Sequence, residues 1–224
     1  MTFKVSSSLS EQIAEYISDK IIRMEIKPGE RVLETNIAQE LGVSRSPIRE
    51  ALRILEKTRL VELIPRRGAR VTEMSENFIE QLCDIFSALM GLTGKKCVEN
   101  GSALDFKTID NAAKTCQHCV QSGDTYGYYR SVFEFAMACL KATKSPLLQQ
   151  MVSELMPSIQ RILYASFSIK GEDLKNNVTI VLTGNQYVQE GNGAMAENTV
   201  CEYIRKEKEF VLKNKIFAEN KIGQ

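Results

Sequence analysis

The chain has 224 residues, 43% of them hydrophobic and 25% charged, and 29 basic against 28 acidic side chains leave a net charge of +1. This is the composition of a globular chain with room for one large domain or two ordinary ones, and it excludes a disordered or fibrous polymer. No run approaches the roughly 20 apolar residues that a membrane helix needs. The polar start, Met1 to Leu9, has no apolar signal-peptide core, so a cytoplasmic location with no membrane partner is expected.

The first elements change period several times. Ile13, Ile17 and Ile21 repeat at spacing four, with Tyr16 and Met24 flanking them. That pattern predicts an amphipathic helix with Ser10 as its N-cap. Lys27-Pro28-Gly29-Glu30 is a turn, and Arg31-Val32-Leu33 is a short extended piece. Glu34 to Leu41 forms a compact helix with Ile37, Ala38 and Leu41 inward, stopped by Gly42. A second helix starts almost at once: Ser44 or Ser46 caps it, Pro47 suits its first turn, and Ile48, Leu52 and Leu55 form its buried stripe. Two β-like runs, Leu60 to Ile64 and Ala69 to Thr72, then flank Pro65-Arg66-Arg67-Gly68, a hairpin with a basic tip.

From Ser75 the period is helical, with helices predicted near 75–100, 105–122, 124–143, 146–169, 172–190 and 194–217. Breaks fall at Gly101, Gly123, Ser145-Pro146, Gly171 and Gly191-Asn192-Gly193, and Pro157 is expected to kink or break the fourth of them. The six cysteines, Cys83, Cys97, Cys116, Cys119, Cys139 and Cys201, all lie in this part on apolar helix faces. Reduced, buried thiols are expected there rather than a disulfide framework.

Charge is distributed unevenly. Between Leu41 and Arg70 the cations are Arg45, Arg49, Arg53, Lys57, Arg59, Arg66, Arg67 and Arg70, against Glu50, Glu56 and Glu62. Alone, a row of arginines on a helix is a solvated face. Here it follows a small helix and a tight turn and precedes a basic hairpin, which is the order of a winged helix-turn-helix. Such a field attracts phosphate and weakens with salt. Arg45 and Arg49 share a face at the helix start, the end that reaches base edges in a major groove, and the arginine fork pairs with guanine O6 and N7.

Glu34–Leu41, Gly42-Val43-Ser44-Arg45-Ser46-Pro47-Ile48-Arg49-Glu50-Ala51-Leu52, Leu55-Glu56 and Pro65-Arg66-Arg67-Gly68-Ala69-Arg70-Val71 together resemble the GntR family of bacterial regulators over about residues 8 to 74. The resemblance implies that Arg45 and Arg49 contact bases and that Arg53 meets the backbone. It also implies that Arg31 and Ser44 to Ser46 hold phosphates, and that Gly68, at the tip with Arg66 and Arg67, enters the minor groove. One departure is Arg59, where the family usually has glycine. Either Arg59 is held there at positive φ, at a cost of about 1 kcal/mol, or the turn is built differently.

The helical part is similar in layout to the FadR-like branch of that family, with its FCD domain. The shared cues are Gly123-Asp124, Phe133, Ser145-Pro146-Leu147-Leu148 and Gly191-Asn192. The resemblance implies a mostly α fold: an N-terminal winged helix-turn-helix with a small β-hairpin over 1–74, and an all-helical effector-binding and dimerisation bundle over 75–224. Members of that branch commonly hold a metal through one Asp and three His. This chain has one histidine, His118, outside those positions, which here hold Arg130, Glu134 and residues near Val181 and Tyr203. No metal and no other cofactor are therefore expected. Two alternatives stay open: a metal-free pocket for a small anionic or organic effector, lined by Arg130, Glu134 and Tyr203, or a collapsed pocket.

Cys116-Gln117-His118-Cys119 has two thiols and an imidazole, but no second ligand pair stands nearby, and in a helix the thiols simply share a core-facing side. Gly191-Asn192-Gly193 follows no strand and is a helix-to-helix turn rather than a phosphate cradle. With a single histidine, no Ser-His-Asp or Cys-His nucleophile can be assembled without His118, and an enzyme is not expected. The reading that gathers these features is a homodimeric transcriptional regulator, a repressor or an activator, with repression favoured. Each protomer would place the Ser44–Thr58 helix in a major groove of a pseudo-palindromic operator, under control of an effector. The alternative is a ligand-binding or interaction protein whose winged helix meets another protein, a contact without the steep salt dependence of duplex binding.

Overall fold

The computed structural model describes residues 8–65, 68–170 and 174–217. The chain divides into two compact units, one formed by residues 8–75 with Glu154–Arg161 and Phe217, the other by Glu76–Ser153 and Ile162–Ile216.

In the first unit, α1 (Leu9–Ile22) buries Ile13, Ala14, Ile17, Ile21 and Ile22. Its cap is Ser8 rather than Ser10. Ser8 Oγ accepts the Glu11 amide at 3.2 Å while Glu11 Oε2 accepts the Ser8 amide at 2.6 Å, so two orphan first-turn donors are satisfied reciprocally. Arg23 ends the helix, and Met24, expected beside its apolar face, lies beyond it at φ 62°. Strand β1 (Arg31–Val32), α2 (Glu34–Leu41), α3 (Arg45–Lys57), β2 (Val61–Ile64) and β3 (Gly68–Val71) follow. The hairpin gains a third strand: the sheet order is β1-β3-β2, antiparallel throughout, with Arg31 opposite Arg70 and Leu63 opposite Ala69. Isoleucines of α1, Ile48, Leu52 and Leu55 of α3, and Leu60, Val61, Ala69 and Val71 around the sheet make one continuous core. Arg161, from the segment of a later helix that belongs to this unit, is fully buried. Its Nη1 donates to Thr72 Oγ1 at 2.9 Å and its Nη2 to the Thr72 carbonyl at 3.0 Å. Burial lowers its pKa to about 10, so the guanidinium remains a cation at neutral pH.

The second unit is built from α4 (Glu76–Asn100), α5 (Ala103–Gln121), α6 (Thr125–Ala142), most of α7 (Pro146–Lys170), α8 (Leu174–Gln189) and α9 (Gly193–Lys213). Helix α7 runs uninterrupted through Pro157, where the sequence predicted a kink or break. Helices α4 and α9 approach closely because α4 has glycine at the crossing. A Cβ on Gly91 would stand 2.8 Å from Cys201 Sγ, and one on Gly94 would stand 3.1 Å from the Ala196 carbonyl oxygen. Elsewhere Cys97, Ile109, Cys139, Ala142, Val188 and Ala196 pack into a small-residue core. All six cysteines are free thiols, five of them buried. No helix among the described residues is long and apolar enough to cross a membrane.

Candidate nucleic-acid interface

Gly42, at φ 65°, closes α2 in the left-handed conformation that a side chain disfavours, and Val43 donates back to the Ala38 carbonyl at 3.1 Å. The chain therefore turns sharply into α3. Ser44 is the N-cap residue of α3, but its side chain makes no capping bond. Its hydroxyl and the first-turn amides remain available to an anion, and the positive end of the helix dipole favours one.

The sequence of α3 separates two faces. Ile48, Ala51, Leu52 and Leu55 are buried, while Arg45, Ser46, Arg49 and Arg53 are exposed. A helix fixed by one apolar stripe presents the opposite row as a rigid comb. The three arginines of that row differ in their partners. The Arg45 side chain has no hydrogen bond or ion pair among the described residues. Arg53 Nη1 meets Glu50 Oε1 of its own helix at 2.5 Å. Arg49 Nε is held across the turn by Glu34, 3.1 Å from Oε1 and 2.9 Å from Oε2.

Arg31 is exposed on β1. Gly68 begins β3 at φ 85°, and a Cβ there would lie 2.8 Å from the Val32 carbonyl oxygen, so both backbone conformation and sheet packing demand glycine. Arg66 and Arg67, expected at the wing tip, lie outside the described residues. Arg59 does take positive φ, 58°; its carbonyl accepts the Thr72 hydroxyl at 2.8 Å, which fixes the turn from α3 into β2.

In the helical unit the positions expected to line an effector pocket separate. Arg130 and Glu134 stand on the exposed side of α6 as an ion pair at 3.7 Å, 63% and 58% exposed. The pair is solvated and lines no pocket among the described residues, because the same helix turns Tyr128, Val132 and Phe133 inward. Tyr203 is buried, and Val181 is a buried apolar residue. An arginine, a solvated glutamate, a valine and a phenol do not fit the family's metal, and no three His, Cys, Asp or Glu side chains converge on a possible ion among the described residues. Cys116 and Cys119 are buried while His118 faces solvent, so the thiols and the imidazole point apart; burial pushes the Cys116 thiol up to about 11. Gly191-Asn192-Gly193 is the expected turn, with Asn192 Oδ1 accepting the Met195 amide at 3.1 Å to cap α9.

Sequence reasoning missed a polar cluster inside this unit. Glu207 of α9 is 2% exposed. Its carboxylate accepts from Ser166 Oγ at 2.7 Å, Lys170 Nζ at 2.6 Å and Asn177 Nδ2 at 2.8 Å. The hydroxyls of Tyr128 and Tyr203 are buried within each other's influence, and no other group among the described residues bonds to them. Burial raises both phenols above the usual tyrosine value, so they are donors at neutral pH. The clue was present: Ala196, Tyr203, Ile204, Glu207 and Val211 share the buried stripe of α9, and a glutamate within such a stripe has to be paired.

Comparison with known proteins agrees with this geometry. Residues 9–71 match the model of bacterial regulatory proteins of the gntR family, and residues 81–205 match the FCD domain. The chain belongs to the GntR family and carries an FCD domain. The uncharacterized HTH-type transcriptional regulator YdhC of Bacillus subtilis is 29% identical over 112 residues, half of each chain. The probable D-xylose utilization operon transcriptional repressor of Paenarthrobacter nicotinovorans is 23% identical over 199 residues, covering 88% of this chain and 86% of that one. The solved structure of Escherichia coli McbR/YncC shares the fold, with a TM-score of 0.83 at 18% identity over 94% of this chain and all of that one. These families and relatives are regulators, not enzymes.

Proposed function

We propose that this GntR-family protein is a homodimeric, cytoplasmic repressor that reads a pseudo-palindromic operator with α3 and yields to an organic effector bound in its helical unit. The observation that supports operator reading most directly is the comb on α3: a buried apolar stripe behind, and Arg45, Arg49 and Arg53 exposed in front, at the end of the helix where base edges are met. Arg45 and Arg49 take base contacts, Arg53 and Arg31 meet the backbone, and Ser44 and Ser46 donate to phosphate.

The effector belongs with Tyr128, Tyr203 and Glu207 rather than with Arg130 and Glu134. One phenol can accept from the other, which leaves one buried O–H donor without an acceptor and favours a molecule bearing a carbonyl or hydroxyl oxygen. Glu207 is already neutralised by Lys170, which removes the need for a charged ligand. No metal is required in this reading, since the donor set does not fit one.

The test is duplex binding as a function of salt. A slope of log K against log salt matching several phosphate contacts is expected, at about 0.9 per contact. A flat slope would move the winged helix to a protein partner. Native mass spectrometry of the purified protein tests the rest. A dimer with added organic mass supports the assignment, and a retained metal ion overturns the metal-free site.

A further inference from the structure

We infer that Glu34 is a specificity-positioning residue: it fixes the guanidinium of Arg49 so that only its two terminal nitrogens face the groove. The inference rests on the reading that Arg49 contacts a base. Glu34 is the first residue of α2 and Arg49 is in the second turn of α3, 15 positions later, so their contact spans the helix-turn-helix. Arg49 spends a single donor on it, since Nε lies within 3.1 Å of both carboxylate oxygens. The Glu34 side chain is only 19% exposed, whereas that of Arg49 is 63% exposed. The anchor is therefore held against the fold and the reader projects from it.

The chemistry of guanine recognition makes that choice of donor matter. An arginine can offer O6 and N7 either its two Nη groups or the Nε–Nη edge, because its donors form a planar fork. With Nε engaged by Glu34, the side-on approach is closed and the end-on approach remains, at a fixed height and angle. An arginine free on a helix surface samples many rotamers and loses that freedom on binding. A braced one has lost it beforehand, and binding strengthens where braced geometry matches the base. Arg45 has no such brace and Arg53 is tied to its own helix, so the cross-turn restraint marks Arg49 alone within this row. A carboxylate beside the comb also repels phosphate, so it weakens binding to unrelated DNA while sharpening the reading of one base pair. Both effects widen the specificity ratio.

The experiment uses full-length protein and a duplex selected by the wild type from a randomised library, together with every single-base variant of one half-site. Glu34→Ala is expected to bind an unrelated duplex slightly better. At the base pair read by Arg49 it should lose discrimination by about 10-fold, the lower part of the range for one bidentate contact. Glu34→Gln keeps an acceptor for Nε and should retain most of the discrimination. Melting temperatures should stay close to wild type, because an ion pair whose arginine stands in solvent adds little stability. Adding Glu34→Ala to Arg49→Ala should change nothing further at that base pair. If Glu34→Ala weakens or strengthens all duplexes equally, Glu34 is only a local charge and the inference falls. If Arg49→Ala itself leaves every base preference intact, it is the underlying reading of Arg49 that fails, and the two failures are told apart by that one variant.

Discussion

In the recognition unit, the charged side chains assigned to function stand on the solvent side of a helix whose other side is core. In the helical unit, the polar groups proposed to meet an effector are themselves core: Glu207, Lys170, Tyr128 and Tyr203 are enclosed among apolar helices. The difference has a physical origin. A duplex is a large external polyanion that can be met without opening the fold, so its readers can be exposed and cost little to keep. A small organic ligand gives up its hydration on entering, and only buried, oriented donors can replace that water. On the proposed reading, function and stability separate in the first unit and coincide in the second.

The largest expected effect breaks the second half of that statement. Glu207→Ala leaves the Lys170 ammonium, the Asn177 amide and the Ser166 hydroxyl without their shared acceptor. Removing one member of a buried ion pair costs about 3–5 kcal/mol, a fall in melting temperature on the order of 10 °C for a chain of this size. Differential scanning calorimetry reads it. A melting point within a degree or two of wild type would mean that water already reaches this cluster.

Arg45→Ala and Arg49→Ala test the first half. Each should lose about 1–3 kcal/mol of discrimination at one base pair, measured by titration of single-base operator variants. The melting temperature should scarcely move, since exposed substitutions of this kind fall within about 0.5 kcal/mol. A large loss of stability in either variant would remove the distinction between the units.

The backbone of the recognition unit offers a smaller pair of changes with opposite sign. Gly68→Ala places a Cβ against the Val32 carbonyl at positive φ and should destabilise by about 2 kcal/mol. Arg59→Gly relieves a side chain held at φ 58° and should stabilise by about 1 kcal/mol. Chemical denaturation midpoints compare both. Equal signs would mean that the wing and the turn into it are not governed by backbone conformation.

The two units also differed in how far their sequence could be read. The comb on α3 and the stop at Gly42 were legible because each depends on neighbours within a few residues, whereas the strain at Arg59 was flagged only by the family resemblance, which has glycine there. Pairing of Arg31–Val32 with β3 was not, because that partner lies about 40 positions away and a two-residue strand has no period of its own. The cap moved from Ser10 to Ser8 because the reciprocal bond with Glu11 decides it, and either serine fits the pattern alone. In the helical unit, Arg130 and Glu134 stand four apart at positions where the family resemblance implied metal ligands. The inward side of α6 is set by Tyr128, Val132 and Phe133, so that pair belongs to the surface. Glu207 escaped notice because its partners Lys170, Ser166 and Asn177 come from α7 and α8, and only tertiary packing joins them.

The smallest predicted effect concerns acid, and it asks whether surface charge in the helical unit behaves like surface charge elsewhere. Asp105 caps the start of α5 with Ser102 and pairs with Lys144 at 2.7 Å. The hydrogen bond from Lys144, then those from the Ser102 hydroxyl and amide, hold its carboxyl well below the usual carboxylate range. A depressed folded pKa means that this contribution to stability is complete above the unfolded value, about 4 for aspartate. It fades as pH falls toward the folded value, because the unfolded chain takes up the proton first. Asp105→Asn should therefore melt below wild type at neutral pH. The gap should narrow steadily as the pH is lowered from about 4, with thermal melts across that interval as the measurement. A gap constant with pH would show that the aspartate acts only as a neutral cap. A gap that also closes in high salt at pH 7 would assign most of it to Lys144, since screening weakens the solvent-facing pair and leaves the short bonds within the cap in place.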